Sequence, residues 1–293
     1  MLQESQILKS HIALRGGQHI RTLHVSDAHL TGADDRDCER KKELAKNRRD
    51  SFSRRLGTEY EQTYFDLLDW GRENCDVTVE TGDVIDFTSE VLFEKLREAL
   101  AVHGGPNIVY TPGSPEFSQY VGEAKEDLAY KMQNYTNVQN CAPNCLEFSA
   151  RVIGGYDFVT VDDSYYGFSE RQYLLLRREA ERGIPIILCM HTPLYHPDIL
   201  RLEQNGNPAA PGYMIAAPEE VTSAYEPRRR EEQAADEMTL KTAEFIKTCP
   251  AIALILAGHL HAPYECRFEG GPVQLVTDLA GRGARVVTLG PAS

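Results

Sequence analysis

The feature that most restricts the fold of this sequence is a set of five short apolar runs. Each run is followed by a turn that carries a polar or metal-capable side chain. They occupy residues 20–25, 77–79, 108–110, 184–190 and 251–256. Runs rich in Val, Ile and Leu at this length are typical of buried strands, and amphipathic segments of helical length separate them. The alternation predicts an α/β fold. Because ligands of α/β sheets bind beyond the carboxyl ends of the strands, the five turns indicate one shared site.

Further elements follow from local patterns. Helices are predicted over residues 58–75 and 89–102, where apolar residues recur at helical spacing. Hairpins are predicted around Gly154-Gly155 and Gly270-Gly271, because paired glycines adopt the positive φ that a two-residue turn needs. These late antiparallel strands argue against an all-parallel sheet.

We expect a single domain over residues 1–293, with a lid or insertion at 192–237, a segment of little periodicity. The longest apolar runs have about seven residues, whereas a membrane-spanning helix needs roughly 20. The first ten residues lack the apolar core of a secretory signal. Seven scattered cysteines, an odd number, do not suit a disulfide framework. The sequence therefore predicts a cytoplasmic protein with reduced thiols and no contact with a membrane.

The net charge of −13 argues against nucleic acid as a partner, because non-specific binding depends on neutralising phosphates with cations. One basic stretch over residues 39–55 leaves open a nuclease related to double-strand-break repair phosphoesterases, although a solvated charged helix explains that stretch as well. The oligomeric state does not follow from the sequence.

Two carboxylates and four imidazoles stand in the turns after the predicted strands: Asp27, His29, Asp83, His191, His259 and His261. Two pairs among them are spaced two residues apart, and in extended chain this spacing directs both side chains to one side. A mixed set of oxygen and nitrogen ligands suits Mn, Fe or Zn better than Ca or Mg alone. Their recurrence in order at successive strand ends predicts a metal site.

The motifs resemble those of the calcineurin-like metallophosphoesterases. They are D-A-H at 27–29, G-D-V-I-D at 82–86, a degenerate P-G-N-H-[DE] at 112–116, the single His191, G-H-L-H at 258–261, and an Asp-Ser followed by a Ser-x-x-Gln helix start within 161–173. The resemblance covers the chain from about Arg21 to about Thr288. It implies a four-layer α/β/β/α sandwich of two mixed β-sheets and a dinuclear metal centre.

The same resemblance implies roles for the six residues. Asp27, His29 and His261 hold one ion, Asp83 bridges, and His191 and His259 hold the second. The implied activity is hydrolysis of a phosphomonoester or phosphodiester, on a phosphorylated small molecule, by attack of a metal-bridging hydroxide. Two divalent ions lower the pKa of such a water and neutralise phosphoryl charge.

The third motif departs from the family pattern, because Ser114 and Pro115 stand where the family has Asn and His. Serine is a weaker ligand that can hold a water instead, and proline offers no acid, base or donor. The second ion is therefore expected to bind weakly. An alternative function is a catalytically impaired metal-binding or regulatory protein on the same fold.

Candidates for the missing catalytic or substrate-binding group are His196, in the predicted lid, and Glu116, with Tyr195 behind them. Asp86 and Asp162 are expected to order the metal site through hydrogen bonds to its ligands. The pair Cys141 and Cys145 lacks a second pair of ligands and is expected to be structural or incidental.

Overall fold

Two mixed β-sheets form the centre of the protein, in a computed structural model that describes residues 6–14, 16–121 and 128–291. The first sheet contains, in spatial order, β1 (Ile7–Leu14), β11 (Ala284–Pro291), β2 (Ile20–Val25), β3 (Val77–Glu80) and β4 (Ile108–Tyr110). The second contains β5 (Phe148–Ile153), β6 (Tyr156–Val161), β7 (Ile186–Cys189), β8 (Ile252–Ala257), β10 (Val273–Val276) and β9 (Tyr264–Arg267). Pairing is parallel except between β11 and β2, β5 and β6, and β10 and β9.

Helices lie outside the sheets. They are α1 (Glu39–Leu56), α2 (Tyr60–Asn74), α3 (Glu90–Glu98), α4 (Leu128–Gln139), α5 (Glu170–Ala180), α6 (Pro197–Gln204), α7 (Glu219–Thr222), α8 (Pro227–Glu232) and α9 (Glu237–Thr248). A single π-helical turn, Ala99–His103, extends α3. The start of α5 is fixed by a capping box, in which Ser169 and Gln172 each bond the other's backbone N–H.

Three buried apolar clusters separate the four layers. The cluster between the sheets joins Val79 of the first sheet to Ile187 of the second. A second cluster packs Leu23 and its neighbours against Leu67 on α2. The third packs the other face of the second sheet against α5, α6 and α9, through Leu176, Ile199 and Ile246. The predicted sandwich of two mixed sheets is confirmed.

The predicted strands and hairpins are present within one or two residues of their expected bounds. In the first hairpin, Ile153 pairs with Tyr156 across Gly154 and Gly155, which both have positive φ. Strand β1 was not predicted from sequence, because ILKSHIAL alternates exposed and partly buried residues along a sheet edge.

The part of the chain that the structure describes has no helix long and apolar enough to cross a membrane. Residues 1–5, half of the start examined for a signal, lie outside the described residues.

Residues 192–237 form helices α6 to α8 and the loops between them. Leu194 and Ile215 make an isolated parallel bridge, and Leu200 and Met214 are buried in the cluster beneath the second sheet. The segment is therefore packed onto the body of the fold. Its role as a lid, and the single-domain organisation, remain predictions.

A buried carboxyl at the start of β6 makes stability depend on pH. Burial and the neighbouring Glu179 raise the pKa of Asp157 to about 6, above its ordinary value near 4. The folded state thus holds a proton that the unfolded chain releases, so this group's contribution to stability falls as pH rises from about 4 to about 6. The free energy of unfolding of Asp157→Asn, relative to that of the unmodified protein, should therefore rise between about pH 4 and about pH 6. Urea unfolding at several pH values measures this difference. A difference that stays constant with pH would contradict this assignment.

Candidate metal centre

The six predicted ligand residues meet at one place, where strands of both sheets end. Two groups of ligand atoms form there, and within each group all atoms lie within 4.8 Å of one another. One group contains Asp27, His29, Asp83 and His261; the other contains Asp83, His191 and His259. Asp83 belongs to both groups.

In the first group, the ring nitrogens converge on the carboxylates. The Nε2 atoms of His29 and His261 are 2.9 Å apart, and His261 Nε2 lies 3.3 Å from Asp27 Oδ1. His29 Nε2 is 3.6 Å from Asp83 Oδ2. All of these side chains are buried except that of His261, which is 28% exposed and so leaves the group an opening to solvent.

In the second group, His191 Nε2 lies 3.1 Å from Asp83 Oδ1 and 3.1 Å from His259 Nδ1. Asp83 Oδ1 is buried and, among the described residues, has no hydrogen-bond partner of good geometry. A buried carboxylate oxygen that receives no well-aligned hydrogen bond is costly, and a cation removes that cost.

The backbone at the site is left-handed where the side chains converge. Five of the six residues have positive φ between 46° and 70°, namely Asp27, His29, Asp83, His259 and His261. The spacing predicted that the paired residues share one side of an extended chain, and this reason is wrong because their backbone is left-handed. The pairs converge because left-handed turns aim them inward, a conformation that costs of order 1–3 kcal/mol per residue and is typical of functional sites.

Two glycines allow the turns to approach the cluster closely. A Cβ atom at Gly113 would stand 1.9 Å from Asp83 Oδ1, and one at Gly258 would stand 2.4 Å from Asp27 Oδ2. Any side chain at either position would displace a carboxylate of the cluster. Glycine is therefore required at both positions, because there is no room for a side chain.

Hydrogen bonds behind the imidazoles fix which ring nitrogen faces the cluster. His29 donates from Nδ1 to Asp86 at 2.9 Å, and His191 donates from Nδ1 to the Thr81 carbonyl at 2.6 Å. Both rings then present an Nε2 lone pair inward, which is the tautomer a metal requires. Asp86 in turn accepts from Arg48 Nε and Nη2, at 2.5 and 2.8 Å. The expected supporting role of Asp86 is consistent with these contacts.

Arg48 was not predicted as a residue of the site, although it lies in the basic stretch at 39–55. Asp163 was not predicted either. That buried carboxylate accepts from the backbone N–H groups of His191 and Thr192, each at 2.7 Å, and so fixes the turn that carries His191. Asp162, which was singled out instead, accepts from Lys131 and Ser164.

The other three candidates, Ser114, Glu116 and His196, contact residues outside the two ligand groups or brace them from behind. Ser114 Oγ accepts from the backbone N–H of Tyr165 at 3.1 Å. Glu116 is fully buried beneath the centre and accepts from the N–H groups of Val84 at 2.6 Å and Gly113 at 2.9 Å, so it braces the turns of two motifs. His196 caps α6 by accepting from the Asp198 N–H, and its ring packs edge-on against Phe268; these contacts do not join it to the cluster.

The electrostatics favour positive charge between the carboxylates. Burial opposes ionisation of Asp27, but its hydrogen bond to His261 and the charges of nearby histidines hold its pKa below the ordinary value. Burial also opposes charge on His191, yet Asp83 raises the pKa of His191 well above its ordinary value. Burial and His191 lower the pKa of His259 to about 3, which keeps that ring neutral with a lone pair to offer.

These observations show that the residues present fit metal ions. The Nε2 atoms of His29 and His261 lie 2.9 Å apart, and at this distance a proton or a cation must lie between the two nitrogens. The donor set of carboxylate oxygen and imidazole nitrogen is one that transition metals and zinc accept. The cluster therefore has both the geometry and the chemistry for a metal centre.

Comparison with known proteins agrees with this geometry. The family model described as calcineurin-like phosphoesterase matches residues 20–263. The chain belongs to the calcineurin-like phosphoesterase family. Its members are phosphoester hydrolases, and this chain is a metallophosphoesterase by that membership. No curated protein matches the chain in sequence.

Solved structures support the fold. A dimetal phosphatase from Danio rerio matches with a TM-score of 0.52 and 14% identity, over 89% of this chain and 88% of that one. A purple acid phosphatase from yellow lupin seeds matches with a TM-score of 0.52 and 13% identity, over 92% of this chain and 45% of that one. At these identities the likeness shows a shared fold.

The Asp163 brace can be tested by its effect on stability. An amide at this position accepts fewer hydrogen bonds and turns an N–H₂ group toward backbone donors. We expect Asp163→Asn to lower the free energy of unfolding by about 1–3 kcal/mol in urea titrations at neutral pH. Asp35→Asn, at an exposed carboxylate that pairs with Lys42, serves as the control and should change it by less than about 0.5 kcal/mol. Equal stability of both variants would show that Asp163 is not a brace.

Proposed function

We propose that the protein hydrolyses a phosphomonoester or phosphodiester with the help of two divalent ions. The observation that carries this proposal is the pair of ligand groups that share Asp83, since a shared carboxylate is what a two-ion site needs. Family membership supplies the reaction class independently.

The division of ligands follows the two groups. Asp27, His29 and His261 hold one ion, His191 and His259 hold the other, and Asp83 contacts both. This division, which the family resemblance implied, is supported by the way the ligand atoms cluster. Mn, Fe or Zn suits these donors.

Bound at these positions, two divalent ions would supply a hydroxide nucleophile near neutral pH and neutralise charge on the phosphoryl group. The protein's own part is to hold the centre rigid. Asp86 and the Thr81 carbonyl orient His29 and His191. Asp163 fixes the turn of His191, and Glu116 joins the turn that carries Asp83 to the turn that carries Gly113. Such outer hydrogen bonds raise ligand basicity and limit reorganisation during reaction.

A phosphorylated small molecule is the substrate class we favour. Three basic residues of α1 already pair with carboxylates of the same chain: Arg48 with Asp86, Arg49 with Glu61 and Lys42 with Asp35. With a net charge of −13, this leaves little basis for binding nucleic acid. All seven cysteines are free thiols, which supports a reducing compartment such as the cytoplasm.

The alternative function keeps the fold and the metal site but has little turnover. It is favoured by one feature, the replacement of the family's Asn and His by Ser114 and Pro115. Restoring both residues discriminates between the two. A large gain of activity over an inactive parent would support the alternative, and a parent that already turns over supports the proposed enzyme.

Removing a shared ligand should remove both metal and activity. We expect Asp83→Ala and His191→Ala to lower bound metal and to abolish hydrolysis of para-nitrophenyl phosphate by the Mn- or Fe-loaded protein. Metal is counted by elemental analysis. The double variant Cys141→Ser, Cys145→Ser is the control and should keep its metal. Absence of turnover of any aryl phosphate or diester by the unmodified, loaded protein would refute the proposed activity, and full occupancy in Asp83→Ala would refute the bridging role.

Ser114 should make the second ion the weaker one. Among the residues that the structure describes, the second group consists of Asp83, His191 and His259. A lost outer partner typically costs ~10–100-fold in metal affinity, and a first-contact change should cost at least as much. Calorimetry should show one tight and one loose ion, activity should rise as the loose one fills, and Ser114→Asn should tighten that step. Two equally tight ions would mean that another residue completes the site.

A further inference from the structure

A cavity of about 410 Å³ is lined by residues of α1, of α3 and of the loop that follows β2. Its volume lies in the range of cavities that hold small molecules in proteins. Among the described residues that line it, none is a candidate metal ligand and none is acidic, whereas four carry positive charge: Lys42, Lys46, Arg49 and Lys95. The cavity is therefore basic and separate from the metal centre.

Two helices supply these four cations, which we call the basic cluster. Lys42, Lys46 and Arg49 share one face of α1, because positions i, i+4 and i+7 of a helix point the same way. Lys95 extends from α3, one turn after Val91, which also lines the cavity. The side chains of Lys42 and Lys95 are 31% and 23% exposed. The cluster therefore arises from the packing of two elements, and not from one run of charge in the sequence.

Positive charge is concentrated in the cluster against the balance of the whole chain. Acidic residues outnumber basic ones by 44 to 31, and like charges placed close together repel. Two of the cations share one carboxylate: Glu61 accepts from Lys95 Nζ at 2.6 Å and from Arg49 Nη2 at 3.3 Å. Burial opposes the charge of Glu61, but Lys95 holds its pKa below the ordinary value. One negative charge between two cations leaves an excess of positive charge.

The contacts with Glu61 leave donors of both cations unused. Lys95 also donates to the Thr31 carbonyl at 2.9 Å, so one of its three ammonium hydrogens remains. The Arg49 contacts run through Nε and Nη2, at 3.3 to 3.4 Å. Within the described part of the chain, Arg49 Nη1 makes no hydrogen bond, and Lys46 makes neither a hydrogen bond nor an ion pair. These donors are available to a ligand.

The acidic neighbours of Lys42 hold it weakly. Its Nζ lies 3.0 Å from Asp35 and 3.2 Å from Glu39, and both carboxylates are almost fully exposed to solvent. Exposed ion pairs contribute little free energy, because water screens the charges and the side chains lose entropy. An anion in the cavity can therefore compete with both carboxylates for Lys42.

A phosphate group has the chemistry that the basic cluster accepts. It carries about two negative charges near neutral pH, and its oxygens accept charge-assisted hydrogen bonds from lysine and arginine. Ala45 and Val91 give the cavity small apolar surfaces beside the cations, where carbon atoms attached to the phosphate can pack. A compact anion needs only the donors that the existing ion pairs leave, whereas a nucleic acid strand needs an extended row of free cations.

We propose that this cavity binds a phosphate group, either as the free ion or as part of a small molecule. The four cations of the basic cluster contact its oxygens. The site is a second one, distinct from the metal centre, and does not depend on the proposed phosphoesterase activity.

The test follows the lysines of the cavity by their reactivity in the full, metal-loaded chain. Acetylation by N-hydroxysuccinimidyl acetate is measured at each lysine by mass spectrometry, with increasing phosphate at constant ionic strength. Phosphate should slow acetylation of Lys42 and Lys46 until the effect saturates. Lys241, an exposed lysine on α9 outside the cavity, should react at an unchanged rate. The readout is local to the cavity, so phosphate bound at the metal centre does not enter it.

A second probe distinguishes the two sources of the phosphate group. Butylphosphonate carries an alkyl chain on a carbon–phosphorus bond, which a phosphoester hydrolase does not cleave. Tighter binding of butylphosphonate than of inorganic phosphate would assign the cavity to a phosphorylated small molecule, and the reverse order would assign it to the free ion. Either order supports the proposal.

Substitution of Lys46 tests the cluster directly. Lys46→Gln should weaken phosphate binding about 10-fold, read from the protection of Lys42, because a hydrogen bond between charged groups is lost. Lys46→Arg keeps the charge and should restore the affinity. Arg54→Gln is the control, since it removes the same charge from α1 roughly 12 Å further along the axis, beyond the Debye length at 0.1 M salt. Both residues are exposed, so neither change removes a core contact.

Three results would overturn the inference. They are equal slowing of acetylation at Lys241, equal slowing by sodium chloride at matched ionic strength, and unchanged phosphate affinity in Lys46→Gln. Protection by a single-stranded oligonucleotide but not by phosphate would also overturn it, in favour of a nucleic-acid surface. No readout needs turnover or bound metal, so this inference and the proposed hydrolysis can fail independently.

Discussion

The candidate site depends on one buried carboxylate, Asp83, which lies where strands of both sheets end. Its two oxygens face His29 from the first sheet and His191 from the second, at 3.6 and 3.1 Å. A carboxylate in that position is costly unless cations neutralise it. The close approach at Gly113 and the hydrogen bond from the Asp83 N–H to Glu116 hold Asp83 at this junction.

The six candidate ligands could be predicted because short local patterns in the sequence indicate where strands end and turns follow. The strands were visible as short apolar runs, and parallel pairing brings their carboxyl ends together. The backbone conformation of the ligands was not visible. Left-handed φ at Asp27 and His259 arises from tertiary contacts, such as the hydrogen bond that the His259 N–H donates to Asp27 at 2.9 Å. The sequence pattern does not show these contacts.

Supporting residues were harder to predict for the same reason. Asp162 and Asp163 are adjacent carboxylates, and only the path of the turn decides that the second one accepts from His191. Arg48 lay within a charged helix whose residues look alike in sequence, and packing alone selects it for Asp86. Strand β1 escaped prediction because an edge strand buries little and leaves a weak pattern.

Loss of the third motif and the presence of the inserted segment are connected by position. Ser114 accepts from the turn that carries Tyr166, whose phenol oxygen lies 3.2 Å from His259 Nε2. The segment 192–237 brings the Tyr213 ring to the same ligand, His259. In a protein of net charge −13, an anionic substrate needs local positive charge, and the two proposed metal ions would provide it. The candidate metal ligands thus lie at strand ends of the sheets, whereas the residues packed around His259 come from a turn and an insertion, which are the parts of a fold most free to change.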